Sequence, residues 1–515
     1  MKKDNCVPNS SIYLMHKYWG KKPGQELRRI VTAYSGEKEV VFDPFAGYGG
    51  IGVECLLNNR NVILNDLNPS AVFISQNIMQ DKIDVDKLER LFREIKEAYS
   101  TVELEWYTHN NNQIVTILRS NDDVPRKLRV IDSETKKVSE VLLTPDEIEE
   151  FKKKEDEYII DTWYPQNKLI VNSRISAKEG MRVCDLFPKR ALICQSYLFD
   201  LINRLEPSPE KELIKLAFTS NTANCSKLVP PIKSRGDMAQ GAWMTGFYIG
   251  ETYLENNVFH YFENRMAKVI KGKKDYLKLL SLCGSRTEYK ILNEDSKSLS
   301  LKDSTVDLVF TDFPYGDTVP YFEQSQIWNA WLQKTVDYEN EIVISNSVER
   351  NKDFKKFKTD IGIAISEISR ILKDDRFFVF TFHSLYGKEW TAIVDALNCN
   401  GFDFVKCDVL LQKTLPPRQL TRKNAIKGDI VAVYRKGKQS GCKKKIEFHD
   451  LLTSKIKSST QQKDCFDTND IILLCIQSML EIGYANKEFD FHELINRYFY
   501  VDTNVKMWRV KDELL

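Results

Sequence analysis

The feature that most restricts this chain is a strand, a glycine turn and a helix in immediate succession. Glu39–Phe45 (EVVFDPF) reads as a buried strand, Gly47, Gly49 and Gly50 supply the turn, and Ile51–Leu57 continues as a helix. Asn61–Asp66 (NVILND) is a second short apolar run ending in an acid, and Pro69–Met79 follows with a Pro at a helix start and apolar residues at helical spacing. Strands that alternate with helices in this way pair in parallel, because each helix carries the chain back across the sheet. A second block repeats the rhythm. Tyr289–Asp295, Val306–Asp312, Arg376–His383, Phe402–Leu411 and Asp429–Tyr434 read as strands, with helices at Ile361–Leu372 and Lys388–Leu397. Seven strands with interleaved helices predict an open α/β sheet covered on both faces.

The 515 residues exceed one ordinary domain, and about two hundred of them break the pattern. The expected organisation is a cofactor half over 1–79, an inserted subdomain over 80–285, a catalytic half over 286–438 and a helical C-terminal domain over 439–515. The insertion carries a charged helix near Asp146–Glu157, an aromatic polar stretch (Trp163–Arg174), an apolar helix (Ala191–Leu205) and a Gly-rich segment (Ser234–Gly250). The tail carries apolar helical patterns at Ile471–Ile482 and Phe491–Tyr498. With 42% hydrophobic and 29% charged residues, disorder as the main theme is excluded. A net charge of +2 gives no global field for a polyanion, so such a partner would need a local patch. The polar start lacks the apolar core of a secretory signal, and no apolar run approaches the ~20 residues of a membrane span. A cytoplasmic protein with no membrane contact is expected. The eleven cysteines lie singly, without a CxxC pair, which predicts reduced core thiols and no metal site.

Two segments carry chemistry. Asp43-Pro44-Phe45-Ala46-Gly47-Tyr48-Gly49-Gly50 lets a ligand approach the backbone closely beside the free N–H groups of a helix start. Asp66, closing the next strand, is placed to accept hydrogen bonds from ribose hydroxyls. The spacing differs from the GxGxxG of dinucleotide folds. Thr311-Asp312-Phe313-Pro314-Tyr315-Gly316-Asp317 directly follows a strand. The Asp312 carboxylate and the Phe313 carbonyl can both accept from one amino group, and the Tyr315 ring offers a stacking face. Two acceptors holding such hydrogens would localise a ring-delocalised lone pair toward an electrophilic methyl group. Both segments fall at the carboxyl edge of one sheet, where open α/β sheets bind ligands.

DPFAGYGG followed by NDLNP, with TDFPYGD later, resembles the S-adenosylmethionine-dependent amino-methyltransferases that methylate adenine N6 or cytosine N4 in DNA, in particular a bacterial branch of large adenine-specific methylases. HKYWGKKP, residues 16–23, resembles the HPxxKP-type segment that such enzymes set beside the methionine end of the cofactor. The resemblance extends over roughly residues 11–436. It implies a Rossmann-like seven-stranded methyltransferase sheet with a large inserted subdomain and a helical C-terminal tail. It also implies S-adenosylmethionine as cofactor, held by Lys22, Pro23, Asp43, Pro44, Phe45, Gly47, Gly49, Asp66 and Asp295. Asp312, Phe313, Pro314 and Tyr315 would form the catalytic platform. The family has Pro where this chain has Phe313, and a Pro there is expected to preserve or raise activity.

The reaction so implied is site-specific methylation of adenine N6 in double-stranded DNA, in a host-protection or phage-related modification system; whether a cognate restriction enzyme partners it is not legible in the sequence. Lys233, Arg235 and Trp243 of the insertion fit backbone contacts and aromatic wedging. The basic stretch Lys413–Lys427, with Lys413, Arg418, Arg422 and Lys423, suits phosphates. His383 reads as a hydrogen-bonded structural residue. Three alternatives stay open: a cytosine-N4 enzyme, an RNA guanine-N2 methyltransferase and a catalytically silent nucleic-acid binder of the same fold. Target site and oligomeric state are not legible in the sequence.

Overall fold

The computed structural model describes residues 10–283, 287–384, 387–410, 428–437, 448–461, 463–483, 491–503 and 507–511. Its frame is a seven-stranded sheet formed by Val40–Asp43 (β1), Asn61–Asn65 (β2), Tyr289–Leu292 (β3), Val306–Asp312 (β4), Leu372–Phe382 (β5), Phe402–Leu410 (β6) and Asp429–Lys436 (β7). The spatial order is β3-β2-β1-β4-β5-β7-β6. β1 runs parallel to both β2 and β4, and β3 and β5 extend the parallel set outward. β7 lies antiparallel between β5 and β6. Chain order reverses at β1, so the crevice beyond the carboxyl ends of β1 and β4 is the topological switch point where such sheets take ligands.

The apolar runs become parallel strands because helices cover both faces, and a strand buried on both sides must be apolar throughout. Val41 and Phe42 are fully buried in β1, as are Leu308 and Val309 in β4. Gly24–Tyr34 (α1), Gly50–Leu56 (α2) and Pro69–Met79 (α3) flank the first two strands. Asn68 caps α3 by accepting from the Ser70 N–H, ahead of Pro69 at the first helical position, where its fixed φ and missing N–H cost nothing. β3 ends at Leu292, so Asp295 stands in the following loop rather than on the strand. Two boundaries also shift. The helix Phe354–Ile371 passes directly into β5 at Leu372, ahead of the expected start, with an irregular register between Leu372 and Phe377.

The insertion leaves the sheet after α3 and returns before β3. Its long helix Val85–Trp106 packs beside an antiparallel sheet built from Thr108–His109, Asn112–Ser120, Pro125–Ile131, Val138–Leu142 and Thr252–Asn256. Helices Pro145–Glu157, Lys189–Arg204, Pro209–Thr222 and Val258–Ser281 belong to it as well. Arg119 is its polar centre, fully buried between Glu255 and Glu155, with Arg190 donating to the same Glu155 oxygen at 2.8 Å. One hydrophobic core runs from Val41, Ile51 and Leu64 of the sheet half into Leu88, Ile114, Phe199 and Phe259 of the insertion, which therefore does not close on a core of its own. A second core joins β5–β7 to the tail through Phe378, Phe402, Leu452 and Ile471. The tail has the helices Phe448–Thr460, Thr468–Ile482 and Phe491–Tyr498. It ends in a hairpin, Phe499–Asp502 with Met507–Val510, that the purely helical expectation lacks. Among the described residues no helix is long and apolar enough to cross a membrane.

Candidate active site

A cavity of about 1000 Å³, its mouth included, opens at the switch point. Its floor is the glycine turn. Gly47 (φ +49°) and Gly49 (φ +80°) hold left-handed backbone that suits glycine, and a Cβ on Gly47 would stand 2.9 Å from the Tyr18 ring. Gly49 is also the N-cap of α2. Asp66 grips the turn from β2. Its Oδ2 accepts from the Gly47 N–H at 2.7 Å and its Oδ1 from the Asn68 N–H at 2.8 Å. Asp43 accepts from the Phe45 N–H and the Thr311 hydroxyl, both at 3.0 Å. Burial pushes the Asp43 carboxyl up to about 8 and that of Asp66 up to about 6, opposed in both cases by these hydrogen bonds. Asn65 and Ser296 bind the Pro44 carbonyl, which ties the loop after β3 to the turn.

Of the nine residues expected around a cofactor, Lys22, Asp43, Phe45, Gly47, Asp66 and Asp295 line this cavity. Pro23, Pro44 and Gly49 shape the backbone around it. Pro23 is the N-cap of α1. The lining suits S-adenosylmethionine. Carboxyl groups of Asp43, Asp66, Asp295, Asp312 and Glu341 face a ligand bearing a sulfonium and an ammonium group, while Phe45, Leu67 and Ile342 give apolar surface for a planar base. The segment 10–23 crosses the opening. Tyr18 stacks on Tyr321 with ring centroids 6.3 Å apart, Trp19 stacks on Trp328 at 4.8 Å, and the Trp19 Nε1 is buried without an acceptor among the described residues.

The platform at the end of β4 is a buried ionic knot. Asp312 Oδ1 accepts from the Tyr315 hydroxyl at 2.7 Å and from the Thr381 hydroxyl of β5 at 2.6 Å. Asp312 Oδ2 pairs with Lys22 Nζ at 3.0 Å. Lys22 also donates to Tyr315 Oη at 2.6 Å and to Asp429 Oδ2 at 2.8 Å. Burial raises the Asp312 carboxyl while the Lys22 charge lowers it, and the net direction is up. For Lys22 burial acts downward, yet the two carboxylates outweigh it and hold the ammonium above its usual range. A carboxylate offers about four lone-pair directions. Three are taken by described residues, and among these none occupies the remaining direction on Oδ2. The Phe313 carbonyl accepts no hydrogen bond among the described residues. Pro314 lines the cavity.

Three expectations change here. The Phe313 side chain turns away from the cavity into the core, with its ring against Phe45, Phe378 and Phe380, so the position, expected to lend only its carbonyl as an acceptor, is a packing site as well. The Tyr315 hydroxyl is bound into the knot and its ring lies outside the cavity lining, so Tyr315 orients Asp312 rather than presenting a stacking face. Trp243 is no exposed wedge. It is buried against Trp19 and Trp328 with Lys17 Nζ 4.3 Å above its ring, because the aromatic collar around segment 10–23 needs a backing surface. Lys233 and Arg235 stand exposed on a short 3₁₀ turn. Lys413, Arg418, Arg422 and Lys423 lie outside the described residues. His383 Nδ1 is 2.9 Å from the Gly428 carbonyl, the bonded structural role expected. Asp429, Thr381, Tyr18 and Tyr321 were not singled out from the sequence. Only their neighbours in space give them meaning.

Comparison with known proteins bears on the first part of the chain. Residues 2–77 match the family described as DNA methylase. A 74-residue segment is 38% identical to a tRNA (guanine(37)-N(1))-methyltransferase 2 of Arabidopsis thaliana, covering 14% of this chain and only 12% of that relative's length. Among solved structures, an S-adenosylmethionine-dependent methyltransferase of Methanosarcina mazei aligns at 12% identity over 32% of this chain and 79% of that one, with a TM-score of 0.17. An rRNA methyltransferase of Streptomyces viridochromogenes aligns at 9% identity over 82% and 91%, with a TM-score of 0.26. TM-scores this low carry no argument about substrate. The match over residues 2–77 takes in segment 16–23, the glycine turn and Asp66, so the part of the chain that is similar to the DNA methylase family is the part that forms the cavity floor.

Proposed function

We propose that the protein methylates the exocyclic N6 of adenine in double-stranded DNA, using S-adenosylmethionine. The observation that carries this reading is the pair of open acceptors at the end of β4, one lone pair on Asp312 Oδ2 and the Phe313 carbonyl. Together they hold both hydrogens of one amino group and aim its lone pair away from the ring plane. The bound cofactor supplies an electrophilic methyl on a sulfonium. Asp66 and Asp295 would orient it from the β2 and β3 ends, and Asp43 and the backbone at Gly47 would line its path. On methylation the amino nitrogen would shed a proton, and Asp312, its carboxyl raised by burial, is the group that would take it. Reaching an adenine in a duplex needs base flipping, at a cost of a few kcal/mol. The insertion, with exposed Lys233 and Arg235, is the proposed duplex-binding element.

A second reading, RNA methylation at a guanine, draws on the 74-residue likeness to a tRNA methyltransferase. Labelled methyl transfer to genomic DNA and, separately, to total tRNA, followed by nucleoside digestion, decides between them. N6-methyladenine in DNA is expected. N4-methylcytosine would overturn the base assignment, label only in tRNA would establish the second reading, and label in neither would leave a silent binder. Asp312→Ala should abolish transfer while cofactor affinity stays within a few-fold.

A further inference from the structure

We propose that Asp429 is a positioning residue for methyl transfer, acting through Lys22 to clamp Asp312 so that a single lone pair of Oδ2 faces the incoming amine. This rests on the methyl-transfer reading above. Asp429 opens β7, the antiparallel strand beside β5, and reaches Lys22 across a sequence separation of 407 residues. The side chains of Lys22 and Asp429 are 4% and 6% exposed, so no water screens their pairing. Were Lys22 held by Asp312 alone, its flexible stem could swing the ammonium across either carboxylate oxygen. The second anchor at 2.8 Å and the Tyr315 hydroxyl at 2.6 Å fix it on Oδ2. The Tyr315 and Thr381 hydroxyls then saturate Oδ1. One acceptor direction is left, and the amine can bind in one orientation only.

The clamp is also electrostatic. Asp312 is faced by Lys22 from segment 10–23, by Asp429 from β7 with His383 3.7 Å from it, by Tyr315 from its own loop, by Tyr321 from the helix Tyr321–Trp331 and by Asp43 from β1. Lys22 favours the charged Asp312 carboxylate and Asp429 disfavours it. Deleting either charge therefore moves the Asp312 titration, and in opposite directions. A purely structural ion pair would give loss of stability in both variants while leaving kcat of the folded protein unchanged.

The test is the titration of the Asp312 carboxyl band, isolated as infrared difference spectra between each protein and its Asp312→Asn counterpart. Asp429→Asn should move the midpoint to lower pH, with S-adenosylmethionine affinity within threefold, and Lys22→Gln should move it to higher pH. The acidic limb of the pH–rate profile should follow in the same two directions, and kcat should fall more than 10-fold in Asp429→Asn with little change in KM. Asp429→Glu, which keeps the charge, should restore the midpoint if Asp429→Asn proves too unstable to titrate. Coincident midpoints, or shifts of one sign, overturn the proposal. Opposed infrared shifts in a protein that methylates neither DNA nor tRNA would uphold the clamp and refute the reaction. Methyl transfer with unmoved midpoints would do the reverse.

Discussion

Asp66→Asn tests how the glycine turn is held. The native carboxylate accepts from two backbone amides on opposite sides, Gly47 N–H at 2.7 Å and Asn68 N–H at 2.8 Å. An asparagine has one carbonyl oxygen. It can keep one of these bonds, and its NH2 must then face the other amide donor to donor. The loss is one hydrogen bond to a charged acceptor, about 1.5–3 kcal/mol. Because the Gly47 amide belongs to the cavity floor, that loss should appear in cofactor binding, as about 10- to 150-fold weaker affinity. Isothermal titration with S-adenosylmethionine at neutral pH measures it directly, with circular dichroism to confirm folding. A second signature is pH. Burial pushes the Asp66 carboxyl up to about 6, so in the native protein affinity should fall as pH drops through that value and the acceptor is protonated. The Asn variant should lack this limb. Burial also pushes Glu341 up to about 7 and Asp43 up to about 8 in the same cavity, so it is the loss of the limb in the Asn variant that assigns it to Asp66. A variant that binds within twofold of native, or that keeps the limb near 6, refutes the reasoning.

Three further outcomes are expected. Gly49→Ala forces a side chain into left-handed backbone, at about 1–2 kcal/mol, and sets a Cβ 2.7 Å from the Ser75 Cβ, adding about 1–3 kcal/mol of overpacking. A urea midpoint equal to native would contradict it. Phe313→Pro, which family resemblance favours, removes the N–H that donates to the Thr381 carbonyl at 3.2 Å and hollows the cluster of Phe45, Phe378 and Phe380, so stability should drop by on the order of 3 kcal/mol rather than hold. Lys21 is lowered by burial to about 7 in the fold against ~10.4 unfolded, so the unfolded chain binds more protons above neutrality and the fold gains stability as pH rises from 7 toward 9. Calorimetric melting should show a smaller gain over that range in Lys21→Met, and an equal gain would refute the assignment.

The parallel core of the sheet was legible because burial on both faces writes itself as unbroken apolar runs. β4 and α3 begin and end where the sequence reading puts them. The antiparallel sheet of the insertion was not. One of its faces meets solvent, so Pro125–Ile131 and Val138–Leu142 carry the charges and hydroxyls of an ordinary surface segment. At the site, Asp43, Asp66 and Asp312 stood out because each closes or follows a strand beside an aromatic or glycine turn. Asp429 opens its strand and draws its role from Lys22, so no local pattern marks it. Trp243 misled for the converse reason, since its polar, Gly-rich neighbours in sequence say nothing of the rings that bury it.

The segment from Ser11 to Lys22 has its two ends in different parts of the molecule. Ser11 bonds to Asp275 and Met15 packs on Gly272, both on the insertion helix Val258–Ser281, whereas Lys22 ends in the carboxylate knot. Between them the chain passes over the cofactor cavity. It is thus a tie-rod. The insertion helix and the ammonium that pairs with Asp312 are thereby joined by one short run of backbone, so the placement of either end constrains the other.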